Sequence, residues 1–141
     1  MERPKVGIAV AIRHSSRSLY DGVLLGLRQG GHAPGMWGFT GGYLEGGETF
    51  EQCAIRETKE ESGIVLSSVQ FWTVENIIFD AEGKHFVTVF MVADMPADQS
   101  ARVMEPNKCL KWELFPWAHL PSPIMPGIVQ LVQRGANPFE I

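Results

Sequence analysis

Three glutamates at helical spacing are the residues of this chain that are best placed to do chemistry. Glu57, Glu60 and Glu61 stand at positions i, i+3 and i+4. On a helix this spacing brings the carboxylates together, where like charges repel. Burial increases that repulsion unless a cation neutralises it, and Mg²⁺ prefers carboxylate oxygens as ligands. The spacing therefore predicts either a divalent-metal site or a solvated acidic helix end, and it does not decide between them.

The segment before these glutamates favours the metal site. It reads Gly-Gly-Tyr-Leu-Glu-Gly-Gly-Glu over residues 41–48, and its glycines permit close backbone approach and unusual dihedral angles. Glu48 lies near the expected helix N-terminus, where the helix dipole favours a negative charge. It stands two turns before Arg56, so we expect an ion pair that braces the loop on the helix. The alternative is a surface ion pair of little energetic value.

A helix over residues 49–62, closed by Gly63 as its C-cap, is predicted to position the glutamates. Drawn at about 100° per residue, one stripe of this helix is expected to face the core. That inward stripe contains Phe50, Cys53, Ala54, Glu57 and Glu61, with Glu60 at its edge. The side expected to face away contains Gln52, Lys59 and Ser62.

Strands are predicted to outnumber helices in the remainder of the chain. Apolar, β-rich runs indicate strands over residues 6–12, 22–27, 37–40, 69–79, 85–95 and 109–115. We expect turns over 14–21 and 80–83, a glycine-rich loop over 41–47 and a second helix over 125–134. Hairpins mixed with helical crossovers predict an α+β sandwich, a mixed β-sheet with helices on its faces. The length of 141 residues predicts a single domain over 1–141.

Composition narrows the class of partner. Lys and Arg number 12 against 16 Asp and Glu, for a net charge of −4, which argues against binding to a nucleic acid polymer. The apolar N-terminal run is too short to span a membrane. Two cysteines without zinc spacing exclude a disulfide framework. We therefore expect a cytoplasmic protein that acts on a small molecule.

Several of these residues occupy the fixed positions of a known sequence motif. Its fixed positions are occupied here by Gly42, Glu48, Arg56-Glu57, Glu60-Glu61, Gly63 and Ile64. This pattern resembles the Nudix box, with Thr58 where the family prefers an apolar residue. Residues 35–42 also resemble the strand that enters the box in MutT-type members, which usually have proline at the position of Thr40.

The resemblance implies an α/β/α sandwich and a hydrolase of a nucleoside diphosphate linked to another moiety. It assigns Glu57, Glu60 and Glu61 as ligands of Mg²⁺ or Mn²⁺, or as the base on the attacking water. The backbone carbonyl of Gly41 or Gly42 is a further ligand in this assignment, and Glu48 and Arg56 orient the others.

Glu105 precedes a predicted strand, in a loop where some family members carry an additional metal-binding or general-base glutamate. Its other interpretation is an ordinary turn residue before Pro106.

Later segments are similar to a subgroup of nucleoside-triphosphate diphosphatases that includes a human thiopurine-nucleotide enzyme and a plant cytosolic relative. The similarity implies that Thr88, Gly127 and Ile128 contact a purine base, although Thr88 also fits an ordinary strand position. Arg28 either contacts phosphate or lies on the surface. A homodimer is common among the enzymes of this subgroup. The four histidines lack metal spacing and are predicted to be non-catalytic.

These inferences favour Mg²⁺-dependent hydrolysis of a nucleoside triphosphate, such as an oxidised or modified purine dNTP, to a monophosphate and pyrophosphate. Other Nudix substrates stay open, namely ADP-ribose, another sugar nucleotide or an isoprenoid diphosphate. A non-catalytic nucleotide sensor is the alternative of a different class. Such relatives commonly lack box glutamates, which this chain retains.

Overall fold

A computed structural model describes residues 2–15 and 21–141. The described residues form one seven-stranded sheet and two α-helices. The strands are β1 (Lys5–Ser15), β2 (Asp21–Arg28), β3 (Trp37–Gly38), β4 (Thr40–Tyr43), β5 (Gln70–Phe79), β6 (Lys84–Asp94) and β7 (Cys109–Pro116), and the helices are α1 (Phe50–Ser62) and α2 (Pro126–Gln133). Because parallel and antiparallel pairs occur in the same sheet, the predicted α+β class with a mixed sheet is confirmed.

Strand β1 is the centre of the sheet, and the sheet forks along its length. One edge of β1 pairs in parallel with β6. The other edge pairs with β4 over residues 7–10 and with β2 over residues 13–15. The fork places Gly41 and Gly42 of β4 opposite Ala9 and Ile8. The backbone that enters the glycine-rich loop is therefore held by the central strand.

Each face of the sheet carries a helix. Alternate residues of β1 point to opposite faces, so Ile8, Val10 and Ile12 pack in the cluster that includes Cys53 and Ala54 of α1. On the other face Ala11 packs with Ile128 and Leu131 of α2. These two cores produce the three layers of the sandwich.

Helix α1 begins and ends as its sequence predicts. The Thr49 hydroxyl accepts the Gln52 amide at 3.0 Å, and the Gln52 side chain accepts the Thr49 amide at 2.9 Å, which is a capping box. Gly63 closes the helix with a φ of 76°, a left-handed conformation that favours glycine. The predicted helix over 49–62 and its glycine C-cap are both confirmed.

The predicted inward stripe of α1 is partly wrong. The buried residues are Cys53, Ala54, Thr58 and Ser62, whereas Phe50 is 39% exposed. Ser62 tolerates burial because its hydroxyl donates to the Thr58 carbonyl at 2.7 Å and is thereby satisfied within the helix. The small side chains of this stripe let α1 lie close to β4, which a phenylalanine on the stripe would prevent.

Other predicted boundaries need correction. The strand expected over 37–40 divides into β3 and β4, and the loop expected over 41–47 begins inside β4. The turn over 80–83 forms a 3-10 turn, Asp80–Glu82, closed by Gly83. Of the turn expected over 14–21, residues 16–20 lie outside the described part of the chain. Among the described residues no helix is long and apolar enough to cross a membrane.

Two threonines join β4 to α1 inside the core. The hydroxyls of Thr40 and Thr58 lie 2.9 Å apart, and the two residues are only 1% and 0% exposed. Both stand where the Nudix pattern prefers another residue type. Each hydroxyl supplies the partner that the other needs, because a buried polar group without a hydrogen bond is costly.

We expect Thr58→Val to lower the free energy of unfolding by about 1–3 kcal/mol, because it leaves the Thr40 hydroxyl buried without a partner. The double variant Thr40→Val/Thr58→Val should recover much of this loss, since it removes both polar groups. Chemical denaturation of the parent, both single variants and the double variant measures the coupling. Strictly additive effects would show that the two hydroxyls do not depend on each other.

Candidate functional site

A cavity of about 540 Å³ opens beside α1. Its walls come from α1, β4, the first half of β1 and of β6, the end of β2 with the connection that follows it, the end of β5, the loop at Glu105 and the start of α2. Ten of the eleven residues selected from the sequence line this cavity: Arg28, Gly41, Arg56, Glu57, Glu60, Glu61, Thr88, Glu105, Gly127 and Ile128. Glu48 does not line it and instead contacts Arg56. The structure thus brings the selected residues together, while their roles stay predictions.

Arg56 is the cation at the centre of the acidic residues. Its Nε and Nη2 donate to the two carboxylate oxygens of Glu48 at 2.7 and 2.9 Å, and its Nη1 donates to Glu57 at 2.8 Å. Glu48 also accepts the Glu45 amide at 3.0 Å. These bonds lower the pKa of Glu48 to about 2, chiefly through Arg56. The expected brace between the loop and α1 is therefore present.

Glu61 is the carboxylate with the most perturbed proton affinity in the cavity. Its Oε1 accepts the Gly41 amide at 2.7 Å. Burial raises the pKa of Glu61 to about 8, and the nearby charges of Glu57 and Glu105 add to the effect. The Gly41 hydrogen bond and the charge of Arg28 act in the opposite direction without cancelling it.

Glu57 is less perturbed and lies directly against the backbone of β4. Burial raises its pKa, although the hydrogen bond from Arg56 opposes the shift. A Cβ on Gly42 would stand 2.4 Å from the Glu57 carboxylate carbon, and a Cβ on Gly41 would stand 2.1 Å from the Ile8 carbonyl oxygen. Both positions must be glycine for the carboxylate and the strand to approach this closely.

The donor atoms suit a hard divalent cation. Glu57, Glu60, Glu61 and the Gly41 carbonyl offer only oxygen, which Mg²⁺ and Mn²⁺ prefer. The raised pKa values of Glu57 and Glu61 indicate that protein cations do not fully compensate their charge. Within residues 2–15 and 21–141, no three His, Cys, Asp or Glu side chains stand close enough to hold a metal. The Glu60 side chain is 52% exposed, and Glu57 and Glu60 both contact the Arg56 Nη1, at 2.8 and 3.5 Å.

The cavity has a second wall that is apolar and aromatic. Strands β5 and β6 contribute Ile77, Phe79, Phe86 and Phe90, with Thr88 among them. At the start of α2, a Cβ on Gly127 would stand 2.6 Å from the Ile77 side chain, so this position has no room for a larger residue.

Two of the predicted binding groups already have partners within the protein. The Ile128 amide donates to the Met125 carbonyl at 3.0 Å. Arg28 donates through Nε to the His32 carbonyl at 2.8 Å. In this conformation the Ile128 amide is occupied, whereas the Arg28 guanidinium still lines the cavity.

Sequence reasoning missed several polar residues of the cavity, among them Gln29, His32, Glu45 and Lys108. His32 lines the cavity and hydrogen-bonds Glu82 at 2.6 Å. The two residues are 50 positions apart, so no local spacing relates them. The only available signal was the presence of a histidine in a glycine-rich connection, and that does not predict its partner.

Comparison with known proteins gives a consistent family assignment. Residues 1–134 match the family model of the NUDIX domain. The structure superimposes on a MutT NUDIX hydrolase from Burkholderia pseudomallei with a TM-score of 0.81 and 28% identity, covering 96% of this chain and all of that one. It also shares the fold of the NUDIX domain of Shewanella oneidensis NrtR in complex with ADP ribose, with a TM-score of 0.75, 20% identity, and 95% and 87% of the two chains covered.

Curated relatives are similar over part of their length. A NAD-capped RNA hydrolase NudC from Vibrio atlanticus (strain LGP32) is 33% identical over 100 residues, which are 71% of this chain and 32% of the relative. An oxidized purine nucleoside triphosphate hydrolase from Danio rerio is 40% identical over 62 residues, which are 44% of this chain and 38% of the relative. The matched regions therefore span well under half of both relatives.

The raised pKa of Glu61 predicts a pH-dependent stability in metal-free protein. Between pH 4.5 and 8 the folded state holds a proton on Glu61 that the unfolded state releases, so stability falls as pH rises. Glu61→Gln should remove this loss and be more stable than the parent at pH 8 by at least about 1 kcal/mol, with little difference below pH 4.5. Urea denaturation across this range is the measurement. A difference that does not change with pH would contradict the burial of an ionisable Glu61.

Proposed function

The chain belongs to the NUDIX domain family, and we propose that it hydrolyses a nucleoside triphosphate to a nucleoside monophosphate and pyrophosphate in the presence of Mg²⁺. The observation that carries this proposal is the composition of the cavity beside α1. Carboxylates and the cation of Arg28 form one part of its lining, and aromatic residues of β5 and β6 form another. A nucleotide has the matching combination of a polyphosphate and a planar, largely apolar base.

The reaction adds water across one P–O–P linkage. The oxygen of water bonds to phosphorus, the bridging P–O bond breaks, and the leaving pyrophosphate takes the electron pair. A carboxylate accepts the proton of the water, and Glu57 and Glu61, whose pKa values burial raises in the metal-free protein, are two candidates. Glu105 lines the same cavity and is a third acceptor. Arg28 faces the negative charge of the phosphates.

In our proposal Glu57, Glu60, Glu61 and the Gly41 carbonyl hold Mg²⁺, or Mn²⁺ in its place. When bound, the ion neutralises negative charge on the diphosphate and polarises the phosphorus. Arg56 fixes the carboxylate of Glu57, and Glu48 fixes Arg56. A cation beside Glu61 favours its ionised form, so metal binding and proton release from Glu61 are linked.

The similarity to an oxidized purine nucleoside triphosphate hydrolase supports a purine triphosphate, oxidised or otherwise modified, as the substrate. A second candidate is a dinucleotide-like diphosphate. It is favoured by the likeness to a NAD-capped RNA hydrolase and to a domain bound to ADP ribose. Both candidates require the same carboxylates and differ in what lies against the aromatic wall.

We expect the parent protein with Mg²⁺ to release pyrophosphate and a monophosphate from at least one purine triphosphate. Glu61→Gln should lower kcat/KM by more than about 100-fold, because loss of a direct metal ligand should exceed the 10- to 100-fold cost of losing an outer partner. Glu51→Gln, on the exposed first turn of the same helix, is the matched control and should keep parental activity. Product analysis covers canonical and oxidised dNTPs and NTPs, ADP-ribose and isoprenoid diphosphates.

Three results would overturn parts of this proposal. Cleavage of ADP-ribose or an isoprenoid diphosphate alone would reject the triphosphate substrate and leave the diphosphate chemistry. Nucleotide binding without turnover of any compound would identify a sensor. Equal activity of Glu61→Gln and the parent would remove Glu61 from the site.

The proposed purine contact of Thr88 is tested separately. Thr88→Ala should lower kcat/KM for purine triphosphates by about 2- to 10-fold, the range expected for one hydrogen bond, with a smaller effect on pyrimidines. Thr73→Ala is the control, because Thr73 lies on β5 outside the cavity lining. An equal loss for purines and pyrimidines would show that Thr88 does not read the base.

A further inference from the structure

A histidine and a glutamate from distant parts of the chain meet at the aromatic wall of the cavity. His32 lies in the connection between β2 and β3, and Glu82 lies in the 3-10 turn between β5 and β6. The His32 Nδ1 stands 2.6 Å from a Glu82 oxygen, and the other Glu82 oxygen accepts the Ala33 amide at 2.8 Å. Lys84 stands 3.2 Å from the same carboxylate. The glutamate thus holds both the side chain and the backbone of the histidine segment.

These contacts determine which ring nitrogen of His32 carries the proton. Although burial works against it, hydrogen bonds from His32, the Ala33 amide and Lys84 lower the pKa of Glu82 to about 2. Glu82 is therefore an ionised acceptor, and Nδ1 must donate to it. Burial lowers the pKa of His32 despite the opposing effect of Glu82, which favours the neutral ring. In a neutral imidazole with a proton on Nδ1, Nε2 is a hydrogen-bond acceptor.

The second nitrogen is free to meet a ligand. In the part of the chain that the structure describes, the His32 Nε2 has no hydrogen-bond partner. The Trp112 indole nitrogen is the only buried side-chain nitrogen or oxygen there that lacks a partner. Because Nε2 is not such an atom, it must be accessible to solvent. The His32 side chain is 20% exposed and lines the cavity. Part of its surface therefore faces the cavity that a ligand would enter.

Aromatic rings hold the imidazole in place and extend the surface around it. The ring centroid of His32 lies 5.2 Å from that of Phe79 in an edge-to-face arrangement and 5.1 Å from that of Phe86. Tyr43 stacks on the other side of this group, 6.1 Å from Phe86. Such a wall suits a flat molecule, and His32 is the acceptor within it.

We propose that His32 is a specificity-determining residue, whose Nε2 accepts a hydrogen bond from an N–H group on the planar moiety of the substrate. Glu82 is a positioning residue that fixes the tautomer and the ring. The proposal rests on the proposed function, because it assumes a nucleotide in this cavity. It extends that function by selecting bases with an N–H donor at their edge over bases that lack one. A site with an acceptor rejects an analogue without the donor because the acceptor is left unpaired.

Binding of two non-hydrolysable probes to the full chain tests this inference without requiring turnover. The probes are the α,β-methylene triphosphates of guanosine, which has N–H donors on its base, and of purine riboside, which has none. Calorimetry with Mg²⁺ should show about 5- to 10-fold tighter binding of the guanosine probe by the parent, the value of about one hydrogen bond. His32→Leu should reduce this ratio to about 1.

Two control variants separate the acceptor from general effects of substitution. His119→Leu removes an exposed histidine that does not line the cavity and should keep the parental ratio. Glu82→Gln leaves one oxygen for two N–H donors, the His32 Nδ1 and the Ala33 amide, so it should weaken the preference without changing the residue that accepts the ligand. In parallel, ¹⁵N spectra of histidine-labelled parent protein should show the proton of His32 on Nδ1, and the Nε2 signal should shift when the guanosine probe saturates the protein.

The outcomes of these experiments are distinct. An equal ratio in His32→Leu and the parent, a parental ratio of 1, or an Nε2 signal that does not move at saturation would each overturn the role of His32. If the parent shows the expected ratio and shift but hydrolyses no triphosphate, the role of His32 stands and the proposed function fails. If the parent binds neither probe, both are overturned.

Discussion

The charge of Arg56 is the interaction on which the arrangement of the site depends. One guanidinium contacts Glu48 from the loop and Glu57 from α1, and its geometry lets it bind the carboxylate of Glu48 through two parallel hydrogen bonds. The Glu48 and Arg56 side chains are 15% and 26% exposed, so water still reaches this pair. Loss of either partner would leave the other without its closest opposite charge. The loop and the helix therefore hold their relative position through one cation.

Arg56 does not bond to Glu61, so no protein cation hydrogen-bonds this carboxylate within the described residues, and its pKa is raised to about 8. Glu61 has only the Gly41 amide as a hydrogen-bond partner within the described residues, and an amide dipole offsets part of a full charge. The backbone approaches this closely because Gly41 and Gly42 have no side chains. A cation at this place would stabilise the ionised carboxylates, which is the role that our proposal gives to Mg²⁺.

The sequence predicted the features that local rules determine. Capping chemistry placed α1, and the fixed spacing of the glutamates selected residues that meet in one cavity.

The other features of the site depend on how side chains pack in the tertiary structure, which local sequence rules do not give. In the sequence, Thr40 and Thr58 are two separate departures from the family pattern. In the structure, their hydroxyls form a hydrogen bond with each other. Phe50 and Ser62 were assigned to the wrong sides because the small residues set the distance between helix and sheet. His32 was missed because its partner is 50 residues away. The homodimer and the cytoplasmic location stay predictions.

The polar groups of the aromatic wall distinguish between the candidate substrates. An isoprenoid diphosphate would bury its chain against Phe79 and Phe86, but it has no donor for His32 and no partner for Thr88, both of which line the cavity. Polar groups covered by an apolar ligand lose their water without replacement, which weakens binding. A nucleobase offers both a flat apolar face and polar edges. The adenine of ADP-ribose meets this condition as well as a purine triphosphate does. In our proposal the wall therefore selects for a base, and the group attached beyond the diphosphate is distinguished elsewhere in the cavity.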